Sequence, residues 1–250
     1  MKMAGLLATV PVIKGFAASN ESSAKAKEIY EWRVYTLTAD KPDLDKFYQD
    51  VLIPAYNRKK ISVGAFKPFK PTDKIQRYYL FVYPDLATYQ KVKADIWKDA
   101  AFKQAAQPFY DASAAAPVYT EFESFLCEAF DRVPQLKKPD ANRTLFEWRN
   151  YKSPNEEANQ RKIKMFNVDE IAVFDQTGIN SVCYGEVLAG PRSPSLIYLT
   201  WYKDEPTRDE AWKKFSAHPD WRRISRLPEY AHTATDNKAV LLSPLPYSQI

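Results

Sequence analysis

The stretch Phe146-Glu147-Trp148-Arg149-Asn150-Tyr151 decides the fold, because the chain contains its pattern twice. The earlier copy is Tyr30-Glu31-Trp32-Arg33-Val34-Tyr35, which shares the order aromatic, Glu, Trp, Arg, any residue, Tyr. The alternating pattern predicts a strand at both places, with Trp on one face and Glu, Arg and Tyr on the other. The repetition predicts two copies of one unit, each opening with this strand.

Both copies continue with the same series of elements, β-α-β-β-α-β. Strands are predicted at 29–37, 63–69, 77–83 and 118–130, and again at 144–151, 180–188, 196–202 and 238–245. Helices are predicted from Pro42-Asp43, from Pro84-Asp85, over 155–175 and around Ala211 and Phe215. Pro54 lies inside the first helix and is expected to kink it.

A βαββαβ unit forms one antiparallel sheet with both helices on one face, which leaves the other face bare. Two such sheets can cover each other. The predicted fold class is therefore α+β, with two tandem ferredoxin-like units. We place the first unit at 28–130 and the second at 143–250, joined by a proline-containing linker at 131–142.

Residues 1–18 have the pattern of an export leader. Met3–Ile13 is apolar and uncharged, and Gly15-Phe16-Ala17-Ala18 supplies small residues suited to cleavage. The stretch resembles the interior of a twin-arginine leader whose arginines would lie upstream. A linker follows at 19–27. The pattern predicts an exported protein, periplasmic or extracellular, with no stable membrane insertion once the leader is removed; the alternative is an apolar N-terminus or a core helix.

Composition excludes several function classes. The net charge of +5 is spread along the 250 residues without a basic run, so nucleic acid is not an expected partner. Only 6 glycines occur, which disfavours a phosphate-binding loop. Two cysteines and two histidines, without metal-ligand spacing, predict no metal site.

Three motifs together resemble the NIPSNAP family: the repeated strand, Trp212-x-x-Phe215-x-x-His218-Pro219-x-Trp221, and Leu241-Leu242-Ser243-Pro244-Leu245. The resemblance is stronger in the second copy. It implies the dimeric α/β-barrel fold, formed here within one chain. That superfamily includes cofactor-free monooxygenases, haem-degrading enzymes, chlorite dismutases and isomerases, whereas the NIPSNAP branch has no settled reaction. The resemblance therefore implies a fold more than a function.

The repeated strands supply the first candidate site. Glu and Arg could form a polar barrel pocket for an anionic or phenolic ligand, with Tyr beside them. Alternatively, these charges pair across the two-fold axis and fix strand register. The residues concerned are Glu31, Arg33, Tyr35, Glu147, Arg149 and Tyr151.

Three further groups of residues have two interpretations each. His218 is a candidate general base or haem ligand, or it caps the helical turn that begins at Pro219; His232 is a weaker candidate. Several tyrosines either line an aromatic-binding cavity or pack in the core: Tyr35, Tyr79, Tyr151, Tyr184 and Tyr198. In the barrel that the resemblance implies, Cys127 and Cys183 lie on neighbouring strands, where they form a disulfide or remain two buried thiols.

The leading functional hypothesis is an exported protein that binds a small organic molecule in an aromatic and polar barrel pocket, with no cofactor. The first alternative is an oxygenase of the barrel superfamily, either cofactor-independent or dependent on haem. The second alternative is a structural or interaction module without a ligand. Self-association into a homo-oligomer is compatible with each of the three.

Overall fold

A computed structural model of the protein describes residues 26–41 and 43–250. The predicted export leader at 1–18 lies outside these residues, as do most of the 19–27 linker and Pro42. Within the described part of the chain, no helix is both long and apolar enough to cross a membrane.

Eight antiparallel strands close into a single barrel. Going around the barrel, the order is β1-β3-β2-β8-β5-β7-β6-β4, so each repeat contributes four consecutive strands. The α+β fold with two ferredoxin-like units in one barrel is confirmed. The strands are β1 (Ile29–Leu37), β2 (Ser62–Pro68), β3 (Gln76–Tyr83), β4 (Tyr119–Ala129), β5 (Leu145–Lys152), β6 (Asn180–Ala189), β7 (Ser195–Tyr202) and β8 (Asp236–Pro244).

The helices cover the outside of the barrel. Four of them pack on each repeat, and the second predicted helix of each repeat is broken into two pieces. The helices are α1 (Asp43–Phe47), α2 (Ile53–Asn57), α3 (Leu86–Ile96), α4 (Ala100–Ala115), α5 (Glu156–Met165), α6 (Ile171–Thr177), α7 (Glu205–Ala217) and α8 (Pro219–Ile224).

A π-helical turn interrupts the first helical segment of each repeat. Tyr48–Leu52 separates α1 from α2, and Phe166–Glu170 separates α5 from α6. Pro54 follows the first of these turns, in agreement with the expected irregularity. Since the second turn lacks a proline, Pro54 alone does not explain the feature.

The two repeats meet along two short seams. β2 pairs with β8 over Phe66–Pro68, and β4 pairs with β6 over Leu126–Ala129. One end of the barrel is closed by the linker, because Lys137 donates its backbone N–H to Val182 and Leu136 packs against the barrel core. Ile250 is buried at the same end, where β2 begins.

Strand alternation divides the core into three parts. Trp32 and Trp148 point into the barrel, where their rings form an edge-to-face pair with centroids 6.2 Å apart. Tyr35 and Tyr151 point outward into the two layers between sheet and helices. The predicted division of the repeated strands into two faces is therefore confirmed.

Gly185 lets β4 and β6 approach closely at their seam. A Cβ atom built on Gly185 would lie 2.8 Å from the Cβ of Cys127 and 3.2 Å from the carbonyl oxygen of Glu128. We expect Gly185→Ala to lower the free energy of unfolding by about 1–3 kcal/mol, because a well-packed interior cannot absorb an extra methyl group. Urea unfolding measures this loss, and stability equal to the unmodified protein would contradict the close packing.

Candidate functional site at the barrel mouth

The repeated Glu and Arg side chains lie outside the barrel wall, beneath the helices. Their position contradicts the expectation that they form a pocket inside the barrel, because the inward face of each strand is occupied by Trp. The expectation that they pair across the two-fold axis is also wrong, since each Glu binds the Arg two residues later on its own strand. A role in ligand binding for these six residues stays a prediction.

In the first repeat, Glu31 joins β1 to α3. Arg33 donates from Nε and Nη2 to the Glu31 carboxylate at 2.9 and 3.1 Å, Tyr83 donates its hydroxyl at 2.8 Å, and Lys93 of α3 donates at 3.0 Å. Burial alone would raise the pKa of Glu31, but these donors outweigh it and lower the pKa to about 2. The Arg33 guanidinium also stacks 4.1 Å from the Phe81 ring centroid. The carboxylate is thus fully engaged.

In the second repeat, Glu147 joins β5 to α7 in the same way. Arg149 donates at 2.8 Å, Arg208 at 2.7 and 3.1 Å, and the Trp212 indole at 2.8 Å. Arg149 stacks 4.0 Å from the Trp212 ring centroid. Burial opposes ionisation, yet Arg208 and Arg149 lower the pKa of Glu147 overall. Both clusters attach a helix to the sheet.

The candidate tyrosines all pack in the layers between sheet and helices, which favours the core interpretation. Tyr48 donates its hydroxyl to Tyr35 at 2.9 Å, and Tyr151 and Tyr198 share a hydrogen bond of 2.9 Å. Tyr35 and Tyr79 belong to the first layer. Tyr151, Tyr184 and Tyr198 belong to the second.

His218 caps α8. Its Nδ1 accepts the backbone N–H of Asp220 at 3.2 Å, as the capping interpretation predicts. His232 is exposed and adopts a positive φ of 55°. Neither histidine lines the barrel cavity described below.

Cys127 and Cys183 both point into the barrel core as free thiols. The predicted adjacency of their strands is confirmed, because β4 pairs with β6. Burial raises the pKa of both thiols above the ordinary value. In this state they act as packing groups.

The barrel end opposite the linker opens into a cavity of about 680 Å³, which we call the mouth. Its floor consists of inward-facing, mainly aromatic side chains, and its rim is polar. The floor residues are Val34, Tyr78, Phe125, Trp148 and Val240. The rim residues are Lys74, Gln76, Glu121, Glu123, Arg192 and Lys238. The interior of an eight-stranded barrel is just wide enough for side chains to fill it or for one small ligand.

The floor contains an unsatisfied donor. Trp148 is buried, and its indole N–H has no hydrogen-bond partner among residues 26–41 and 43–250. Buried polar groups are nearly always paired in native structures, because an unpaired one costs about 1–3 kcal/mol. Beside it, Tyr78 donates its hydroxyl to Gln76 at 3.1 Å. Burial and the nearby Glu123 charge raise the pKa of Tyr78, which keeps the phenol protonated.

Most rim charges already have partners. Lys74 binds Glu121 at 3.0 Å. Arg192 lies in the loop between β6 and β7, donates to the Asn150 side chain and pairs with Asp236. The side-chain amide of Asn150 is itself held by Ser195 and the Leu196 carbonyl, so this arginine is rigidly placed.

Glu123 and Lys238 are the exception. Within the described part of the chain, neither side chain has an ion-pair partner within 4.0 Å. Glu123 is half-buried beside Tyr78, whereas Lys238 is exposed. The rim therefore presents one free acid and one free base.

A second cavity, of about 630 Å³, lies on the outside between α1 and α4, over Phe47 and Phe109. Its base is built from apolar side chains such as Val51 and Pro108. Among the residues that the structure describes, none of its lining side chains has a buried polar atom without a partner. The mouth is therefore the better candidate for a functional site.

Residues 146–249 match the NIPSNAP family model. Over these residues the second repeat is similar to the NIPSNAP family. The match begins at Phe146, the first residue of the repeated hexapeptide in β5, and ends at Gln249. No curated protein matches the chain.

Solved structures are similar to this chain at low sequence identity. A candidate monooxygenase from Fusobacterium nucleatum is 13% identical, with a TM-score of 0.55 over 88% of this chain and 93% of that one. An anthrone oxidase-like protein is 9% identical, with a TM-score of 0.53 over 89% and 93%. An uncharacterised NIPSNAP domain protein from Burkholderia xenovorans is 17% identical, with a TM-score of 0.38 over 42% and 99%. At these identities the first two structures show the fold alone.

The residues that match the NIPSNAP family model supply only part of the mouth. Trp148, Arg192 and Lys238 belong to it, whereas Tyr78, Glu123 and Phe125 come from the first repeat. Sequence reasoning selected Trp148 as a fold marker but missed the other rim and floor residues. The available signal was the alternation of β4 and β8, which places Glu123 and Lys238 on the inward face with Phe125 and Leu242.

Proposed function

We propose that this protein binds a small aromatic molecule in the barrel mouth. The observation that carries the proposal is the buried indole N–H of Trp148, which lacks a partner and belongs to a ring on the floor of a 680 Å³ cavity. A ligand atom that reaches this N–H and accepts its hydrogen bond would supply the missing partner. The rings of Trp148 and Phe125, with centroids 6.2 Å apart, supply an aromatic surface for stacking.

The proposed pocket has a different lining from the pocket predicted from sequence, but both would bind a small organic molecule. Pockets for small molecules combine an apolar lining with a few well-placed polar groups. The mouth has this composition, whereas the Glu31 and Glu147 clusters are closed by their own donors. Export of the chain and self-association stay predictions.

A blocking variant tests the proposal. Val240→Trp adds an indole at a partly buried position of the cavity lining, so we expect it to weaken binding of substituted benzenes and naphthalenes by tenfold or more, or about 1.4 kcal/mol. Trp148→Phe replaces the indole with a smaller aromatic ring that has no donor, and should weaken compounds that carry an acceptor more than those that do not. Isothermal titration calorimetry measures both effects.

The control is Trp97→Phe, because Trp97 lies on the outer surface with 57% of its area exposed. It should bind like the unmodified protein. Unchanged affinity in Val240→Trp would mean that the aromatic compounds bind elsewhere and would overturn the proposal.

An oxygenase that acts on the bound molecule is the second candidate. It is supported by the names of the structural neighbours, which include a candidate monooxygenase and an anthrone oxidase-like protein. A haem-dependent reaction fits the mouth poorly, because its described lining contains no His, Cys or Met and its one phenol, Tyr78, has a raised pKa. The cofactor-independent form is therefore the better version of this candidate.

A further inference from the structure

Glu123 and Lys238 occupy equivalent places in the two repeats. Glu123 pairs in register with Val34 on β1, and Lys238 pairs with Asn150 on β5. Val34 and Asn150 are the matching fifth residues of the repeated strand. The two positions are thus related by the pseudo-two-fold axis of the barrel, and one carries an acid where the other carries a base.

The closed strand order places these two residues across the mouth from each other. β4 and β8 are separated by three strands in either direction around the barrel. Both side chains line the cavity of about 680 Å³, a size that suits one small ligand. Both residues share the inward face with buried neighbours, Phe125 on β4 and Leu242 on β8.

Glu123 and Lys238 differ from the other charged rim residues, which have ion-pair partners. Lys74 with Glu121, and Arg192 with Asp236, form ion pairs at the same end of the barrel. Among the described residues, Glu123 and Lys238 are left with no such pair, although Glu123 is half-buried beside Tyr78. A half-buried carboxylate is stabilised by a nearby cation, which this arrangement leaves for a ligand to provide.

We infer that the natural ligand is an aromatic zwitterion, with its cationic group at Glu123, its anionic group at Lys238 and its ring on Trp148 and Phe125. The inference rests on the proposed function, because it names the chemical class of the molecule bound in the mouth. It predicts an orientation as well as a class, since the acid and the base lie on opposite walls.

Four probes with one para-substituted benzene ring test the inference on the full chain. They are 4-(aminomethyl)benzoate, 4-methylbenzylamine, 4-methylbenzoate and p-xylene, and calorimetry measures each affinity. We expect the zwitterion to bind about tenfold more tightly than either singly charged probe, because it gains one more charge-assisted hydrogen bond. Glu123→Gln should weaken the zwitterion and the amine about tenfold and leave the benzoate unchanged. Lys238→Gln should weaken the zwitterion and the benzoate about tenfold and leave the amine unchanged.

Glu157→Gln provides the matched control, because it makes the same charge change on an exposed helix, where the Glu157 side chain is 71% exposed. Circular dichroism verifies that each variant is folded. If all four probes bind equally well and Val240→Trp abolishes their binding, the proposal of aromatic binding in the mouth stands, but the inference of a zwitterionic ligand is overturned. Preference for the benzoate in both variants would also overturn it, since Arg192 would then be the anchor. Binding of none of the probes would count against both proposals.

Discussion

Glu147→Ala is expected to lower the free energy of unfolding by about 3–5 kcal/mol, the cost of removing one partner from a buried ion pair. The Glu147 side chain is fully buried and accepts hydrogen bonds from Arg149, Arg208 and Trp212. Its loss leaves Arg149 largely buried without its carboxylate and releases α7 from β5. Urea unfolding, followed by circular dichroism, measures the change.

Glu157→Ala is the control for this prediction. Glu157 pairs with Arg161 one helical turn later on an exposed surface, so its removal should cost less than about 1 kcal/mol. A Glu147→Ala protein as stable as Glu157→Ala would show that the cluster contributes little to the attachment of helix to sheet. The mouth lies on the other face of the wall, so ligand affinity should survive in whatever fraction of Glu147→Ala remains folded.

Acid is expected to destabilise the protein through Glu31. The pKa of this carboxyl falls from the ordinary 4.5 to about 2 on folding, because Arg33 and Lys93 outweigh the effect of burial. A depressed folded pKa contributes stability above the unfolded value and loses it as the pH falls towards the folded value. The difference between 4.5 and about 2 corresponds to roughly 3 kcal/mol.

The measurement compares the unmodified protein with Glu31→Gln across the acidic range. Glutamine does not titrate, so the stability advantage of the unmodified protein should shrink by about 3 kcal/mol between pH 6 and pH 2. The other carboxyl groups are present in both proteins, so their contributions to the pH dependence of stability cancel in the difference. An advantage that stays constant over the range would mean that Glu31 has an ordinary pKa in the folded protein.

The repeated strand predicted two ferredoxin-like units and the family resemblance implied the barrel, but neither located the candidate site. Alternation separates Trp32 from Glu31 and Arg33, and the structure confirms that separation. Alternation does not say which face is inside, because helices bury one face and the opposite half-barrel buries the other. Both faces of β1 are buried, so a buried charge on it could belong to either side.

The mouth could not be predicted for a different reason. Glu123 and Lys238 each look like an ordinary strand charge, and 115 positions of sequence separate them. Only closure of the barrel through both seams places β4 opposite β8.

The role of His218, by contrast, could be predicted from local sequence. The neighbouring Pro219 predicted that His218 caps a helix, and the structure confirms this cap, because capping depends on adjacent residues.

The linker has a consequence for how the mouth responds to dilution. In a barrel assembled from two separate chains, the site would be lost wherever the chain concentration falls below the dissociation constant of the pair. Here residues 131–142 join the two half-barrels, and they also close the far end. Assembly is then a unimolecular event with a high effective concentration. A cavity lined by both halves therefore stays complete even in a single isolated molecule.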